Sequence, residues 1–270
     1  MAPGVLSLAD FGVAMLGTSL TIASANAGNQ AMEVEYDKLM QRTRLRMLPR
    51  ELLTVPSAVA FSAACGVAGT GLLYAAVNPV AAALAAGNIV LYVFVYTPMK
   101  RIHWINTWIG AVVGAIPPLI GWAAATGGTL GPGALALGAV LYAWQIPHFI
   151  SLSWTIRRDY EAGGYRMMAL NLSHKIPSVI LLWSLYALPL GLACYYADLT
   201  TQWFALTSLV PGIPLVLAAR KFSKERSNNN SRLVFRYTLA WLPAFLGLML
   251  FHKKEYSPWE WQPRASRKAD

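Results

Sequence analysis

Apolar runs of roughly twenty residues recur from one end of the chain to the other, and as α-helices each would cross the ~30 Å of hydrocarbon in a bilayer. Backbone N–H and C=O groups find no water in lipid, so uninterrupted runs of this length fold as helices that satisfy themselves. Hydropathy places eight spans at 5–28, 53–76, 79–98, 104–126, 131–153, 176–197, 200–220 and 234–252. With 56% hydrophobic and 13% charged residues there is no room for a separate soluble domain. The expected fold class is therefore all-α: a polytopic transmembrane helical bundle over residues 1–252, followed by a polar C-terminal tail at 253–270.

The connections between spans alternate in character. Those near 29–52, 99–103, 154–175 and 221–233 are charged, whereas Val77–Pro79, Gly127–Pro132 and Asp198–Thr200 are short and nearly uncharged. Eight spans put every charged connection on one face, and the positive-inside rule makes that face the cytoplasm or, in a mitochondrion, the matrix. The tail, with Lys253, Lys254, Arg264, Arg267 and Lys268, then falls on the opposite face, against the rule. The net charge of +10 reads as this membrane bias, so the lipid bilayer is an expected partner and nucleic acid is not. Cys65 and Cys194 lie inside apolar stretches and are expected as buried thiols. Met1–Asp10 lacks both a basic n-region and an Arg-rich amphipathic pattern, so no cleavable targeting segment is expected.

Packing signals accompany the spans. Gly110 and Gly114 form a GxxxG, followed by Pro117 and Pro118, which predicts close helix approach and a kink. Pro147 frees a carbonyl near Ala143, a distortion that calls for a cavity beside His148. Ser227–Ser231 reads as a polar loop tip.

Three blocks carry candidate chemistry. In the first, NQAMEVEYDKLMQRTRLRMLP at 29–49, a helical start puts Asn29, Glu33 and Asp37 at i, i+4 and i+8, with their oxygens on one face suited to a divalent cation. Downstream, Arg42, Thr43, Arg44 and Arg46 offer forked donors for phosphate oxygens. Carboxylates aligned beside arginines suit a Mg²⁺-bound diphosphate better than a merely solvated loop. In the second block, YTPMKR, Lys100 and Arg101 end a span on the same face, either as phosphate partners or as snorkelling cations, and Asn106 serves a ligand or starts a helix. The third block, 144–168, sets Arg157, Arg158, Asp159 and Tyr160 before Gly163–Gly164, which argues for a tight loop or a close backbone approach to a ligand. His148 lies about 16 Å of helical rise before Asp159, deeper in the membrane, either as a functional group or as packing.

At these blocks the chain closely resembles the heme O synthases, the protoheme IX farnesyltransferase branch of the UbiA-type intramembrane prenyltransferases. The resemblance covers nearly the whole chain. It rests on Asn29, Glu33, Asp37, Met40, Arg42, Thr43 and Arg46, on YTPMKR, Asn106, GAVVGAIPPLIGWAAATG at 110–127, WQIPHF at 144–149 and DYEAGGYRMM at 159–168. Gly-Gly-Tyr and the paired Met167–Met168 look mitochondrial rather than bacterial in type. The resemblance implies nine helices around a central cavity, so the family's first helix is expected to be absent here. It implies farnesyl transfer from farnesyl diphosphate to a vinyl group of heme b, with water addition, yielding heme O for cytochrome c oxidase assembly. Asn29, Glu33, Asp37 and Asp159 would then be catalytic residues and Mg²⁺ ligands. Arg42, Arg46, Lys100, Arg101, Asn106, His148, Arg157, Arg158 and Tyr160 would bind substrates, and His148 would position heme, act as a base or ligate iron. The second acidic motif keeps only Asp159, since Thr155 stands at its earlier position. Implied partners are heme A synthase or other oxidase-assembly proteins and a second copy of the chain. The implied location is the mitochondrial inner membrane with the charged loops in the matrix, a bacterial plasma membrane being second choice.

Three other readings compete. A prenyltransferase acting on a quinone or other aromatic acceptor would share the diphosphate chemistry, while a heme or anion transporter would have no need of clustered carboxylates. A catalytically silent assembly factor would have no use for Asn29, Glu33, Asp37 and Asp159.

Overall fold

The computed structural model describes Ala2 and residues 6–254, and helices dominate it, with no strand among the described residues. Eight spans are long and apolar enough to cross a membrane: α1 Leu8–Asp37, α2 Val55–Ala76, α3 Pro79–Ile102, α4 Asn106–Ala125, α5 Pro132–Thr155, α6 Ser173–Tyr196, α7 Trp203–Lys224 and α8 Asn228–Phe251. All eight predicted spans are present. The tail beyond Lys254, with Arg264, Arg267 and Lys268, lies outside the described residues.

Two boundaries move, both at the charged face. α1 runs 30 residues, about 45 Å, so it outlasts the hydrocarbon and carries its helical register through Asp37 rather than stopping near 28. α8 starts at Asn228, not 234, and the polar tip read at 227–231 is its first turn. Ser227 caps that turn by accepting from the Asn230 amide at 3.2 Å, and Ser231 reaches across to the Ser151 carbonyl of α5 at 2.7 Å.

The bundle closes as α1 packs on α2, α2 on α3, α3 on α4, α4 on α5, and α5 on both α6 and α8, with α7 filling the gap between α6 and α8. α1 and α2 meet closely where Gly17 faces Gly69, since a Cβ on Gly69 would stand 2.8 Å from the Gly17 carbonyl oxygen. The Gly110/Gly114 pair does something else than the backbone approach expected of it. Gly110 makes room for the Tyr96 ring and Gly114 for the Gln145 amide. α4 runs through Pro117 and Pro118 as one helix. α6 is interrupted at Ala187–Pro189. Both cysteines are buried and free.

The charged connections converge on one face through direct bonds. The Arg42 amide donates to Asp159, the Arg166 amide to the Lys100 carbonyl at 2.8 Å, and the Arg157 guanidinium to Asn228 at 2.8 Å. On the other face Asn78 reaches the Ala123 carbonyl, and Thr201 and Lys254 tie the end of α8 to the 198–201 turn. Lys253 and Lys254 thus sit opposite the arginine-rich loops.

Candidate active site

The site is built on the last two turns of α1. Asn29, Glu33 and Asp37 stack at i, i+4 and i+8 on the face turned to α3, and all three are buried. Asn29 Nδ2 donates to Glu33 Oε2 at 2.9 Å and to Thr97 Oγ1 at 2.8 Å, which leaves its Oδ1 as the remaining acceptor. Lys100 Nζ stands 2.6 Å from Glu33 Oε1, and the side chains of both are nearly buried. Arg46 Nη1 stands 2.7 Å from Asp37 Oδ2.

The loop after α1 turns back because Thr43 is buried and gives its hydroxyl to the Asp37 carbonyl at 3.1 Å, closing the end of the helix. Leu48 anchors the loop against Val34 and Ala58. Arg42 and Arg46 are thereby held over the carboxylates.

α3 supplies the facing wall through a local irregularity. Leu91–Tyr96 is π-helical, and the Thr97 hydroxyl donates 2.9 Å to the Tyr92 carbonyl five residues back. The wider turn stacks Tyr92 on Tyr96 at 5.5 Å and brings Tyr92, Tyr96 and Lys100 to the same cavity. Lys100 also lies 4.9 Å above the Tyr96 ring centroid.

The third wall is the loop after α5. Gly164 takes φ +69°, a left-handed conformation costly for residues with a Cβ, and a Cβ on Gly163 would crowd the Tyr165 ring at 2.9 Å. The double glycine therefore folds Tyr165 inward, where it packs with Tyr160, Met40 and Met167. Burial pushes the Tyr160 phenol above its ordinary range, and burial together with nearby Glu33 does the same for Tyr165. Both stay neutral donors.

Together these walls enclose a polar cavity of about 200 Å³ lined by Asn29, Glu33, Asp37, Arg42, Arg46 and Lys100 with Tyr92, Tyr96, Tyr160 and Tyr165. A second cavity of about 410 Å³ continues into the membrane, and Tyr92, Tyr96 and Phe149 line both. His148 lines this deeper cavity together with Trp144 and Gln145, so the cavity expected beside His148 is present, while the helix runs through Pro147 without a break.

The remaining predicted residues lie around the cavity. Asp159 accepts from the Arg42 amide at 3.2 Å and so pins the arginine loop. Arg101 covers the Tyr36 ring at 3.7 Å. Asn106 is fully buried and ties the His103 and Arg166 carbonyls together. Arg157 binds Trp154 and Asn228, and Arg158 is exposed. Thr97, Tyr92, Tyr165 and Gln145 also line or brace the two cavities, and although Thr97, Tyr165 and Gln145 stand inside the three blocks, nothing in their residue type or spacing marks them.

The described residues gather no group of three acidic, His or Cys side chains around one point, so a metal here would not be caged by protein alone. The donor set suits a cation completed by substrate oxygens. Asp37 Oδ1 is buried without a hydrogen-bond partner, and Glu33 and Asn29 follow it one and two turns back on the same helix face.

The UbiA prenyltransferase family model matches residues 1–250. Curated relatives include the mitochondrial protoheme IX farnesyltransferase of Arabidopsis thaliana, 45% identical over 88% of this chain and 55% of the relative. That of Homo sapiens is 42% identical over 94% of this chain and 57% of its own. The chain thus spans little more than half the length of these relatives. Among solved structures, one of digeranylgeranylglyceryl phosphate synthase matches with TM-score 0.76 at 16% identity, over 92% of this chain and 86% of that one. A UbiA homolog from Archaeoglobus fulgidus bound to GPP and Mg²⁺ matches with TM-score 0.60 at 11% identity, over 93% and 90%. These structures share the fold.

Proposed function

The chain belongs to the UbiA prenyltransferase family, and on that premise we propose that it transfers a farnesyl group from farnesyl diphosphate to a vinyl group of heme b, with addition of water, to give heme O. The observation that carries this reading is the two-part cavity. A compartment with three cations and two carboxylates opens past an aromatic collar into a larger one that is mostly apolar. Diphosphate belongs in the first and the isoprenyl chain and porphyrin edge in the second. Identity above 40% to mitochondrial protoheme IX farnesyltransferases supports the choice of acceptor.

Arg42, Arg46 and Lys100 bind the diphosphate and stabilise the charge it gathers as the C1–O bond breaks. Asp37, Glu33 and Asn29 would hold Mg²⁺, which would supply Lewis-acid neutralisation of the leaving group. Asp159 acts through Arg42 by fixing its backbone. Tyr92, Tyr96 and Phe149 shield the allylic cation from bulk water at the junction. By the positive-inside rule the diphosphate compartment faces the matrix side of the mitochondrial inner membrane.

The test is a proteoliposome assay with heme b and farnesyl diphosphate, with and without Mg²⁺, products being identified by mass. Heme O formed only with Mg²⁺ is the expected result. Diphosphate release that requires a quinone acceptor, or no prenylated product with any acceptor, would overturn the reading.

A further inference from the structure

We propose that Gln145 and His148 hold the water molecule that the transfer reaction adds to its acceptor, with Gln145 as the residue that orients it. The proposal rests on the farnesyl transfer with hydration inferred above.

Gln145 lines the deeper cavity from the middle of α5. Its Nε2 donates to the Ala111 carbonyl of α4 at 3.2 Å and to the Leu141 carbonyl at 3.0 Å. Two carbonyls can only accept, so both amide protons are spent and Oε1 is left as an acceptor. Gly114 belongs to the same device, because a Cβ there would collide with Gln145 Oε1.

His148 is one helical turn along the same face. The Thr238 hydroxyl gives its one proton to the Phe235 carbonyl at 2.6 Å, so towards His148 Nδ1, 2.9 Å away, it can only accept. Nδ1 therefore carries the imidazole proton and Nε2 the lone pair. The ring cannot turn over easily. It is stacked between Trp144 and Phe235, each centroid 4.7 Å from its own, and Trp144 is tethered to the Thr238 carbonyl at 2.7 Å.

Both residues line the cavity within the membrane, and among the described residues no protein donor meets Gln145 Oε1 or His148 Nε2. Such a pair selects a ligand with two O–H donors and an oxygen lone pair to spare. Water fits this description. In the reaction, the terminal vinyl carbon bonds to farnesyl C1 while the C1–O pair departs with diphosphate, leaving positive charge on the inner vinyl carbon beside the porphyrin. The held water bonds to that carbon through oxygen and passes one proton to His148 Nε2, while Gln145 Oε1 accepts its other O–H and aims the lone pair. Without a held water the same cation sheds a proton from the neighbouring carbon and becomes an alkene one water lighter than heme O.

The experiment compares the ratio of hydroxylated to alkene product in Gln145→Leu and in Gly114→Ala, which displaces the same amide from the opposite helix. A product ratio is independent of how much of each variant folds. The hydroxylated share should fall at least about tenfold relative to alkene in both, the size of effect expected on losing one orienting hydrogen bond. Fully hydroxylated product from either variant would overturn the proposal. So would loss of all farnesylated product in both, which would place the pair in the transfer step itself. Failure of the wild type to farnesylate heme would instead overturn the underlying function.

Discussion

Asn29 and Thr97, 68 residues apart in sequence, are joined by a hydrogen bond of 2.8 Å that locks the carboxylate-bearing end of α1 to the π-helical segment of α3. Thr97 is a relay, accepting from Asn29 while donating to the Tyr92 carbonyl. Thr97→Val removes both bonds at constant shape. A buried donor left unmatched costs about 1–3 kcal/mol, so the variant should unfold at lower temperature and need about tenfold more farnesyl diphosphate for half-maximal rate. Thr97→Ser should restore both quantities.

Lys100 and Glu33 form an ion pair with little access to solvent. Removing one partner of such a pair leaves an uncompensated buried charge, at a cost of about 3–5 kcal/mol. Lys100→Met should therefore lose stability and activity together. The double variant Lys100→Met/Glu33→Gln should recover most of the stability and none of the turnover, as read by thermal unfolding beside the heme assay.

Asp37 keeps one buried oxygen without a hydrogen-bond partner while the other pairs with Arg46. Asp37→Asn should raise the Mg²⁺ concentration needed for half-maximal rate by at least about tenfold, as expected where one or two carboxylates anchor the ion. Arg46→Ala should act mainly on the diphosphate. Unchanged Mg²⁺ dependence in Asp37→Asn would remove this residue from the metal site, and chelation of Mg²⁺ should abolish turnover in the wild type.

The tyrosines set an alkaline limit. Burial raises the Tyr160 and Tyr165 phenols above 10.0, so the folded protein disfavours their ionised forms more than the unfolded chain does. Their contribution to stability is complete below pH ~10 and declines as pH rises through the folded values. Tyr165→Phe should flatten the fall in unfolding temperature above pH ~10 without altering it at pH 7.

Much of this architecture is legible in the sequence because lipid imposes a simple rule. Hydropathy finds every span, and the alternation of charged and uncharged connections places the arginine loops on one face, where Arg42–Asp159 and Arg166–Lys100 contacts join them. The i, i+4, i+8 spacing of Asn29, Glu33 and Asp37 survives because α1 stays regular past the hydrocarbon. Hydropathy misses that extension, just as it misses the polar first turn of α8, since both are held by side-chain bonds rather than by lipid. The π-helical turn has no sequence signature in LYVFVY; it is fixed by Thr97 bonding five residues back. Glycine spacing, too, shows that space is needed without saying for what, and at Gly110 and Gly114 the occupants are the Tyr96 and Gln145 side chains.

Two helix contacts calibrate the packing. Gly69→Val would drive side-chain atoms into the Gly17 carbonyl and should lower the unfolding temperature markedly, whereas Gly71→Ala meets nothing within 4 Å and should leave it unchanged or slightly higher. Thermal unfolding in detergent distinguishes the two.

The widened turn at Leu91–Tyr96 also acts as a phase shifter between two halves of one rod. An α-helix advances about 100° per residue and a π-helix less, so rewinding these same residues as regular α-helix would swing Thr97 and Lys100 about a quarter turn away from Asn29 and Glu33. The membrane half of α3 and its neighbours would remain seated while the cation turned away from its carboxylate. The widened turn thus sets the angle at which the catalytic end of the helix meets its partners, independently of the scaffold below it.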